Sequence, residues 1–280
     1  MKVITTLPEM RATRKILQGT VGFVPTMGFL HAGHTSLVHS AKAGCTNVVV
    51  SIFVNPTQFG PNEDLAKYPR DLPRDLSMLE SLGVDLVWVP TVEEMYPSGY
   101  QTWVDVENLT LGLEGEVRPG HFRGVATVVA KLFNTIRPDR AFFGQKDAQQ
   151  AVVIRRMATD LDFPIEIVIC PTIRDADGLA VSSRNMYLNS EERKAAPILF
   201  RALNAAKTAF KGGEREAESL RRIMRDILIS EPLAKLQYVS CADYDILEEL
   251  TVVQEKALLS MAVILGNTRL IDNLVIGDLD

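Results

Sequence analysis

The sequence predicts an α/β chain with an open parallel sheet over residues 1–175 and a smaller α+β domain over residues 176–280. Three observations lead there. Through the first part of the chain, β-favouring runs alternate with helix-length amphipathic segments, which is the pattern of βαβ units. Several of those runs lack polar–apolar alternation, as in Asn47 to Val54 (Asn-Val-Val-Val-Ser-Ile-Phe-Val), and unbroken apolar runs suit parallel strands covered on both faces. From Ser190 the order changes to helices followed by strands, so a domain boundary is expected between about Asp175 and Arg184.

The elements follow in order. Pro8 to Leu17 reads as a short amphipathic helix, and Thr20 to Met27 as the first strand. A helix over Thr35 to Ala43 is closed by Gly44. The Asn47 to Val54 strand completes a right-handed βαβ unit and runs into the turn-rich loop Asn55 to Asn62. Asp71 caps a helix to Leu82 with Pro73 in its first turn, and Asp85 to Val89 is a strand. Thr102 to Val106 is expected as an edge strand. After a glycine-rich loop, Leu113 to Gly124, a helix is predicted from about Val125 to Ile136, where Pro138 stops it. Arg140 to Phe143 and Pro164 to Ile169 are further strands, separated by a helix carrying Gln149 and Gln150. Beyond the tight turn Asp175 to Gly178, one long helix is expected over Ser190 to Lys211 with Ser190 as its N-cap. A helix over Glu214 to Ser230 and strands over Gln237 to Tyr244, Ala257 to Leu265 and Leu270 to Val275 complete the chain.

Composition narrows the function classes. The net charge of −5 argues against general affinity for nucleic acid or an anionic membrane, so any phosphate site must be local. Cys45, Cys170 and Cys241 are odd in number and far apart, which argues against a disulfide framework. Neither a signal peptide nor a membrane-spanning run is expected, and the cytoplasm is the default compartment.

The chemistry-bearing stretch is Val24 to His34, a strand that ends in a tight turn and opens a helix. Gly28 and Gly33 bracket a turn through which a backbone approaches a ligand with no Cβ in the way. A helix opening near Gly33 or His34 points its N–H groups at an anion, and His31 and His34, three apart, project to one side. A zinc pair is disfavoured because no further ligand stands at metal spacing nearby. The loops Gly28 to His34, Asn55 to Gly60 and Gly144 to Gln150 each follow a buried strand, so in a parallel sheet they converge on one edge. Gln58 and Gln150 offer uncharged amides there, which suit a substrate bearing hydroxyls and a carboxylate.

The spacing His31-Ala32-Gly33-His34 resembles the signature of the nucleotidyltransferase superfamily that includes cytidylyltransferases, small adenylyltransferases and class I aminoacyl-tRNA synthetases. A longer series resembles the pantoate–β-alanine ligase, or pantothenate synthetase, family. It comprises Pro25-Thr26-Met27-Gly28, the two-histidine turn, Ser51 to Phe59, Arg118-Pro119-Gly120-His121-Phe122-Arg123-Gly124, Phe143-Gly144-Gln145-Lys146-Asp147 with Gln149-Gln150, and Ser182-Ser183-Arg184-Asn185. Phe29, in place of a smaller or polar residue, and Val181, where Met or Leu is frequent, depart from the pattern and put the nucleotide fit there in question.

The resemblance implies a Rossmann-like ATP- and pantoate-binding domain with a carboxy-terminal lid, and a homodimer. It implies ATP-dependent joining of pantoate to β-alanine through a pantoyl adenylate, with ATP as substrate and Mg²⁺ as cofactor. His31, His34, Lys146, Ser182, Ser183 and Arg184 are the catalytic set it implies. The ATP contacts it implies are Pro25, Met27, Gly28, Phe29, Leu30, His31, Ala32, Gly33, His34, Gly144, Gln145, Lys146, Asp147, Ile173 (through its backbone), Val181, Ser182, Ser183 and Arg184. Gln58 is expected to bind pantoate and lie near β-alanine, Gln150 to bind pantoate, and Arg123 to order the pantoate side. No protein metal ligand is assigned. A transferase acting on a phosphate ester would line its acceptor pocket with Arg or Lys rather than Gln58 and Gln150. A nucleotide sensor without turnover would have no need of His34, Lys146 and Arg184 together, and a tRNA ligase fits poorly with the net charge of −5.

Overall fold

The structure is a computed structural model that describes residues 1–61 and 63–277, so Asn62 of the loop after the second predicted strand, and the last three residues, lie outside the described residues. The chain divides into two compact units, Met1–Gly144 with Gln149–Pro171, and Gln145–Ala148 with Thr172–Asp280.

In the first unit the elements are β1 (Lys2–Ile4), α1 (Leu7–Ile16), β2 (Val21–Thr26), α2 (Ala32–Gly44), β3 (Asn47–Ile52), α3 (Leu72–Ser81), β4 (Leu86–Trp88), α4 (Val92–Met95), α5 (Glu114–Val117), α6 (His121–Ile136), β5 (Arg140–Gly144), α7 (Ala148–Asp160) and β6 (Glu166–Cys170). The strands form a six-stranded sheet in the order β1-β4-β3-β2-β5-β6, and every pairing is parallel. The order reverses direction beside β2, which pairs with β3 through six residues and with β5 through Gly22↔Arg140 and Phe23↔Ala141. In open α/β sheets that reversal marks the ligand crevice at the strands' carboxyl ends.

Strand periodicity sorts the core onto the two faces. Val21, Phe23 and Val49 point into a cluster with α6 residues Val125, Val129, Phe133 and Ile136, whereas Val24, Val48, Val50 and Ile52 join Leu37, Val38 and Ala41 of α2 and Leu79 of α3. These strands are therefore buried on both sides, as their unbroken apolar runs predict.

The second unit holds α8 (Ser190–Ala195), α9 (Ile198–Lys211), α10 (Ala217–Ile229) and the strands β7 (Ala234–Asp243), β8 (Lys256–Leu265) and β9 (Thr268–Gly277). The strands make an antiparallel sheet in the order β7-β8-β9. Its apolar face, with Leu259, Met261 and Val263 of β8, packs on Leu199, Ala202, Leu203, Leu220 and Met224 of the helices.

Three local expectations are corrected. Thr102 to Val106 is not a strand: this segment is irregular, and the Val104 N–H donates to Thr127 Oγ1 of α6 at 3.0 Å rather than to a sheet neighbour. The single helix over Ser190 to Lys211 is two, because Pro197 has no N–H to donate and its ring crowds the preceding turn. The N-cap of the first is Asn189, whose side chain accepts from Glu191 and Glu192 N–H while the Glu192 carboxylate takes the Asn189 N–H, in place of Ser190. The short edge strand β1 carried no signal of its own and exists by pairing with β4.

Candidate active site

The turn between β2 and α2 is held from below by a buried carboxylate. Gly28 has φ +80°, and a Cβ there would stand 3.1 Å from Ile52 Cγ2 and 3.2 Å from Asp75 Oδ2. Phe29 follows with φ +49°, a conformation that costs a residue with a side chain. Asp75, 1% exposed in the first turn of α3, compensates by accepting both the Phe29 N–H at 2.6 Å and the Leu30 N–H at 2.8 Å. Burial pushes the Asp75 carboxyl pKa upward, and the two backbone N–H groups pull against it. The Arg74 Nη2 donates to Leu30 O at 3.0 Å, and its guanidinium carbon lies 5.1 Å from the centroid of the Phe29 ring. Phe29 is thus half-buried against a cation of its own unit.

The helix opens on histidines instead of the usual serine and glutamate. His31 is the N-cap: its Nδ1 accepts the Gly33 N–H at 3.2 Å, while His34 Nδ1 accepts the His31 N–H at 3.3 Å. This is a reciprocal capping box. It also fixes chemistry, because an imidazole that accepts at Nδ1 carries its proton on Nε2. Both rings therefore present an Nε2–H donor, with centroids 4.0 Å apart and planes tilted by 34°.

On the other flank, the 3₁₀ turn Pro56–Gln58 follows β3 and packs against the start of α6. A Cβ on Gly124 would lie 2.4 Å from Thr57 O and 2.8 Å from Gln58 N, so only glycine permits this approach. Gln58 is 9% exposed; its Oε1 accepts from Asn55 Nδ2 at 3.1 Å and its Nε2 faces Met27 Sδ at 3.1 Å. Asn55, 1% exposed, is itself held, since its Oδ1 accepts from the Tyr96 hydroxyl at 2.9 Å and the Thr57 hydroxyl at 2.9 Å. Burial drives the Tyr96 phenol up to about 12, so it stays a proton donor. The Gln58 carbonyl accepts from His121 Nδ1 at 2.8 Å, and His121 Nε2 accepts from Arg118 Nη1 at 3.1 Å. Arg118 is anchored in turn by two 2.7 Å bonds to the Glu63 carboxylate.

Gln150 is half-buried in the first turn of α7. Its neighbour Gln149 is structural, accepting the Glu114 N–H and donating to Leu109 O and Gly112 O, each at 2.9 Å. Arg123 is exposed on α6; its partners are Asp105, at 3.3 Å, and the Trp103 ring, 5.0 Å away, rather than Gln58.

Gly144 ends β5 in the first unit, whereas Gln145, Lys146, Asp147, Ile173, Val181, Ser182, Ser183 and Arg184 belong to the second. The 3₁₀ turn Gln145–Asp147 clusters there through Asn273 of β9. Lys146 Nζ lies 3.5 Å from Asp147 Oδ1. Ile173 and Val181 face each other across a hairpin, the Val181 N–H donating to Ile173 O at 2.9 Å around a turn with Gly178 at φ +95°. Ser182 caps the 3₁₀ turn Ser183–Tyr187 by accepting the Arg184 N–H at 3.3 Å. The hairpin thus leads directly into the Ser182 to Arg184 turn within this unit.

Asn55, Asp75, Tyr96 and Asn273 escaped the functional assignments made from the sequence. Asp75 reads locally as an ordinary acidic residue in a helix's first turn, and Asn55 as a turn former before proline. Only tertiary contact gives either a task.

A six-stranded parallel sheet that reverses beside β2, with His31 and His34 at the helix start that follows, defines a Rossmann-like α/β protein. Residues 2–275 match the family described as pantoate-beta-alanine ligase, and the chain belongs to this family. A pantothenate synthetase from Herpetosiphon aurantiacus is 61% identical over 276 residues, covering 98% of this chain and 100% of its own. A crystal structure of pantothenate synthetase from Thermus thermophilus superposes with a TM-score of 0.94 at 49% identity, covering 98% of this chain and 99% of that one. One of a pantoate-beta-alanine ligase from Francisella tularensis, complexed with beta-gamma ATP and beta-alanine, gives 0.81 at 35% identity, covering 98% and 97%.

Proposed function

We propose that this chain joins pantoate to β-alanine at the expense of ATP, giving pantothenate, AMP and pyrophosphate. In the first step a pantoate carboxylate oxygen attacks the α-phosphorus, the bond to the β-phosphate oxygen breaks, and pyrophosphate leaves. In the second, the β-alanine amine attacks the acyl carbon of the pantoyl adenylate, the acyl C–O bond breaks, AMP leaves and the amine loses a proton. Activation is required because a free carboxylate is a poor acyl donor, and phosphoryl chemistry asks the protein chiefly for positioning and charge stabilisation.

The observation that carries this reading is the pair of Nε2–H donors that the capping box fixes at His31 and His34. On it we place the triphosphate, with His34 donating to the charge that grows on departing pyrophosphate. Lys146, Ser182, Ser183 and Arg184 serve the phosphates, and the Ile173 to Val181 hairpin the adenine. Pro25 to Leu30, Ala32, Gly33, Gly144, Gln145 and Asp147 complete the ATP contacts. Gln58 and Gln150 bind pantoate, Gln58 also lying near β-alanine, and Arg123 orders that flank indirectly through Trp103 and Asp105.

Mg²⁺ belongs to the same reading. Among the described residues no group of three or more His, Cys, Asp or Glu could hold a metal ion. The donors present therefore fit an ion ligated mainly by phosphate oxygens, with the exposed Asp147 carboxylate as the acidic residue of the Lys146 turn. When bound, the ion neutralises triphosphate charge. Work in the cytoplasm as a homodimer completes the proposal. Among the described residues no helix is long and apolar enough to cross a membrane, and the three cysteines are free thiols.

The test is exchange of labelled pyrophosphate into ATP with Mg²⁺ present and β-alanine absent. Exchange that requires pantoate is expected. Folded, ATP-binding protein that gives none would exclude the adenylate route.

A further inference from the structure

The turn that carries Lys146 is anchored by a strand distant in sequence. Asn273 of β9 is 4% exposed, and its Nδ2 donates to two successive carbonyls, Gln145 O at 3.0 Å and Lys146 O at 2.8 Å. Its Oδ1 accepts from Gln145 Nε2 at 3.0 Å. The amide orientation is dictated by chemistry, since the reverse would set an oxygen against both carbonyls.

Behind Asn273 the strand is locked. Its own N–H donates to Asp272 Oδ1 at 2.8 Å, and the Asp272 carboxylate, 3% exposed, receives Arg174 Nη1 at 2.6 Å and Nη2 at 2.9 Å. Arg174 Nη2 reaches Asn273 O at 3.3 Å as well, and its guanidinium carbon stands 4.0 Å from the Phe200 ring centroid. A buried, bidentate pair of this kind resists displacement, because moving either partner strands a charge.

From this arrangement we infer that Asn273 is a positioning residue for Lys146: it fixes the backbone from which the lysine presents its ammonium to the ATP phosphates. A lysine is a point charge on a flexible four-carbon stem, so its placement is set chiefly at its base. One primary amide spans both carbonyls; an apolar side chain leaves them without their donor and the 3₁₀ turn free to relax. The inference rests on the proposed phosphate-binding role of Lys146.

The experiment compares Asn273→Ala, Lys146→Ala and the double variant in pantoate-dependent pyrophosphate exchange. Asn273→Ala is expected to lower kcat/KM for ATP by roughly 10- to 100-fold, the scale of a small misplacement of a charged group, with the KM for pantoate held within about twofold. In the double variant, Asn273→Ala is expected to add less than about twofold to the loss from Lys146→Ala, because both remove one function. Full additivity, or equal effects on ATP and pantoate, would overturn the positioning role, as would an Asn273→Ala enzyme with normal ATP kinetics beside a slow Lys146→Ala. Wild-type exchange in Lys146→Ala would instead remove the phosphate role of the lysine itself. Should Asn273→Ala fail to fold, Asn273→Ser keeps one hydroxyl donor and is expected to show the same ATP-selective loss at smaller size; its absence there counts against the inference equally.

Discussion

Asn55 donates from Nδ2 to Gln58 Oε1 across 3.1 Å, while Gln58 Nε2 donates one of its two hydrogens to Met27 Sδ at 3.1 Å. With the oxygen engaged, the second Nε2 hydrogen is the group that the proposed pantoate role requires, a donor suited to hydroxyl and carboxylate oxygens. Gln58→Glu should therefore be damaging despite its similar size, since it sets an acceptor where a donor is needed. A loss of about 10- to 100-fold in pantoate affinity is expected, the scale of a hydrogen bond to a charged partner, with ATP affinity little changed. Calorimetric titration of both ligands checks this, and parallel losses for the two would show that Gln58 does not serve pantoate.

His34 has one task in the structure and a second in the proposed reaction, and two readouts on a single variant tell them apart. Its Nδ1 caps α2 through the His31 N–H at 3.3 Å, and its Nε2–H is the donor assigned to pyrophosphate. His34→Ala should slow pyrophosphate exchange by roughly 10²- to 10³-fold, as for other transition-state donors. The lost cap should cost only about 1 kcal/mol of stability. Exchange kinetics with thermal unfolding on the same sample distinguishes the effects. A variant much less stable but chemically competent would leave His34 as a cap alone.

The parts of this molecule legible in the sequence are those whose causes are local. The unbroken run Val48-Val49-Val50 declared a doubly covered strand, and the glycines around His31 and His34 declared the turn. Residues whose meaning is tertiary stayed silent. Asp75 lies far along the chain from the Phe29 N–H it receives, and Asn273 is 128 residues from Gln145. Thr102 to Val106 has a strand's composition yet is tied to Thr127 of α6, so propensity lost to a side-chain contact. Pro197 was visible within Ser190 to Lys211, and its break in that helix follows from proline geometry alone.

Gly124 tests whether close packing, and not only polar contact, sets the position of Gln58. A methyl group there meets Thr57 O at 2.4 Å and Gln58 N at 2.8 Å, both backbone atoms that have no rotamer to retreat into. Gly124→Ala should destabilise the fold by about 1–3 kcal/mol through overpacking. It should also weaken pantoate binding more than ATP binding, because the Pro56–Gln58 turn must shift. Urea denaturation and the two KM values report these outcomes. An alanine variant with unchanged stability would mean that the α6 start yields readily.

His121 gives the structure a pH dependence whose sign is fixed by its partners. Burial, with the neighbouring Arg118 charge, lowers its pKa to about 4, against 6.5 for the ordinary side chain. The neutral ring donates from Nδ1 to Gln58 O and accepts at Nε2 from Arg118, so a second ring proton would face an N–H group. Between pH 4 and 6.5 the unfolded chain binds the proton that the folded one refuses. Stability is therefore complete above about pH 6.5 and falls as pH drops toward 4, by an amount of order 3 kcal/mol for this group. The carboxylates of Glu63 and Glu114 oppose the shift and are already counted in its direction. His121→Gln replaces the ring with a group that does not titrate and should flatten this part of the curve. Urea midpoints measured from pH 7 to pH 4.5 on both proteins are the check, and identical slopes would show that the acid sensitivity resides elsewhere.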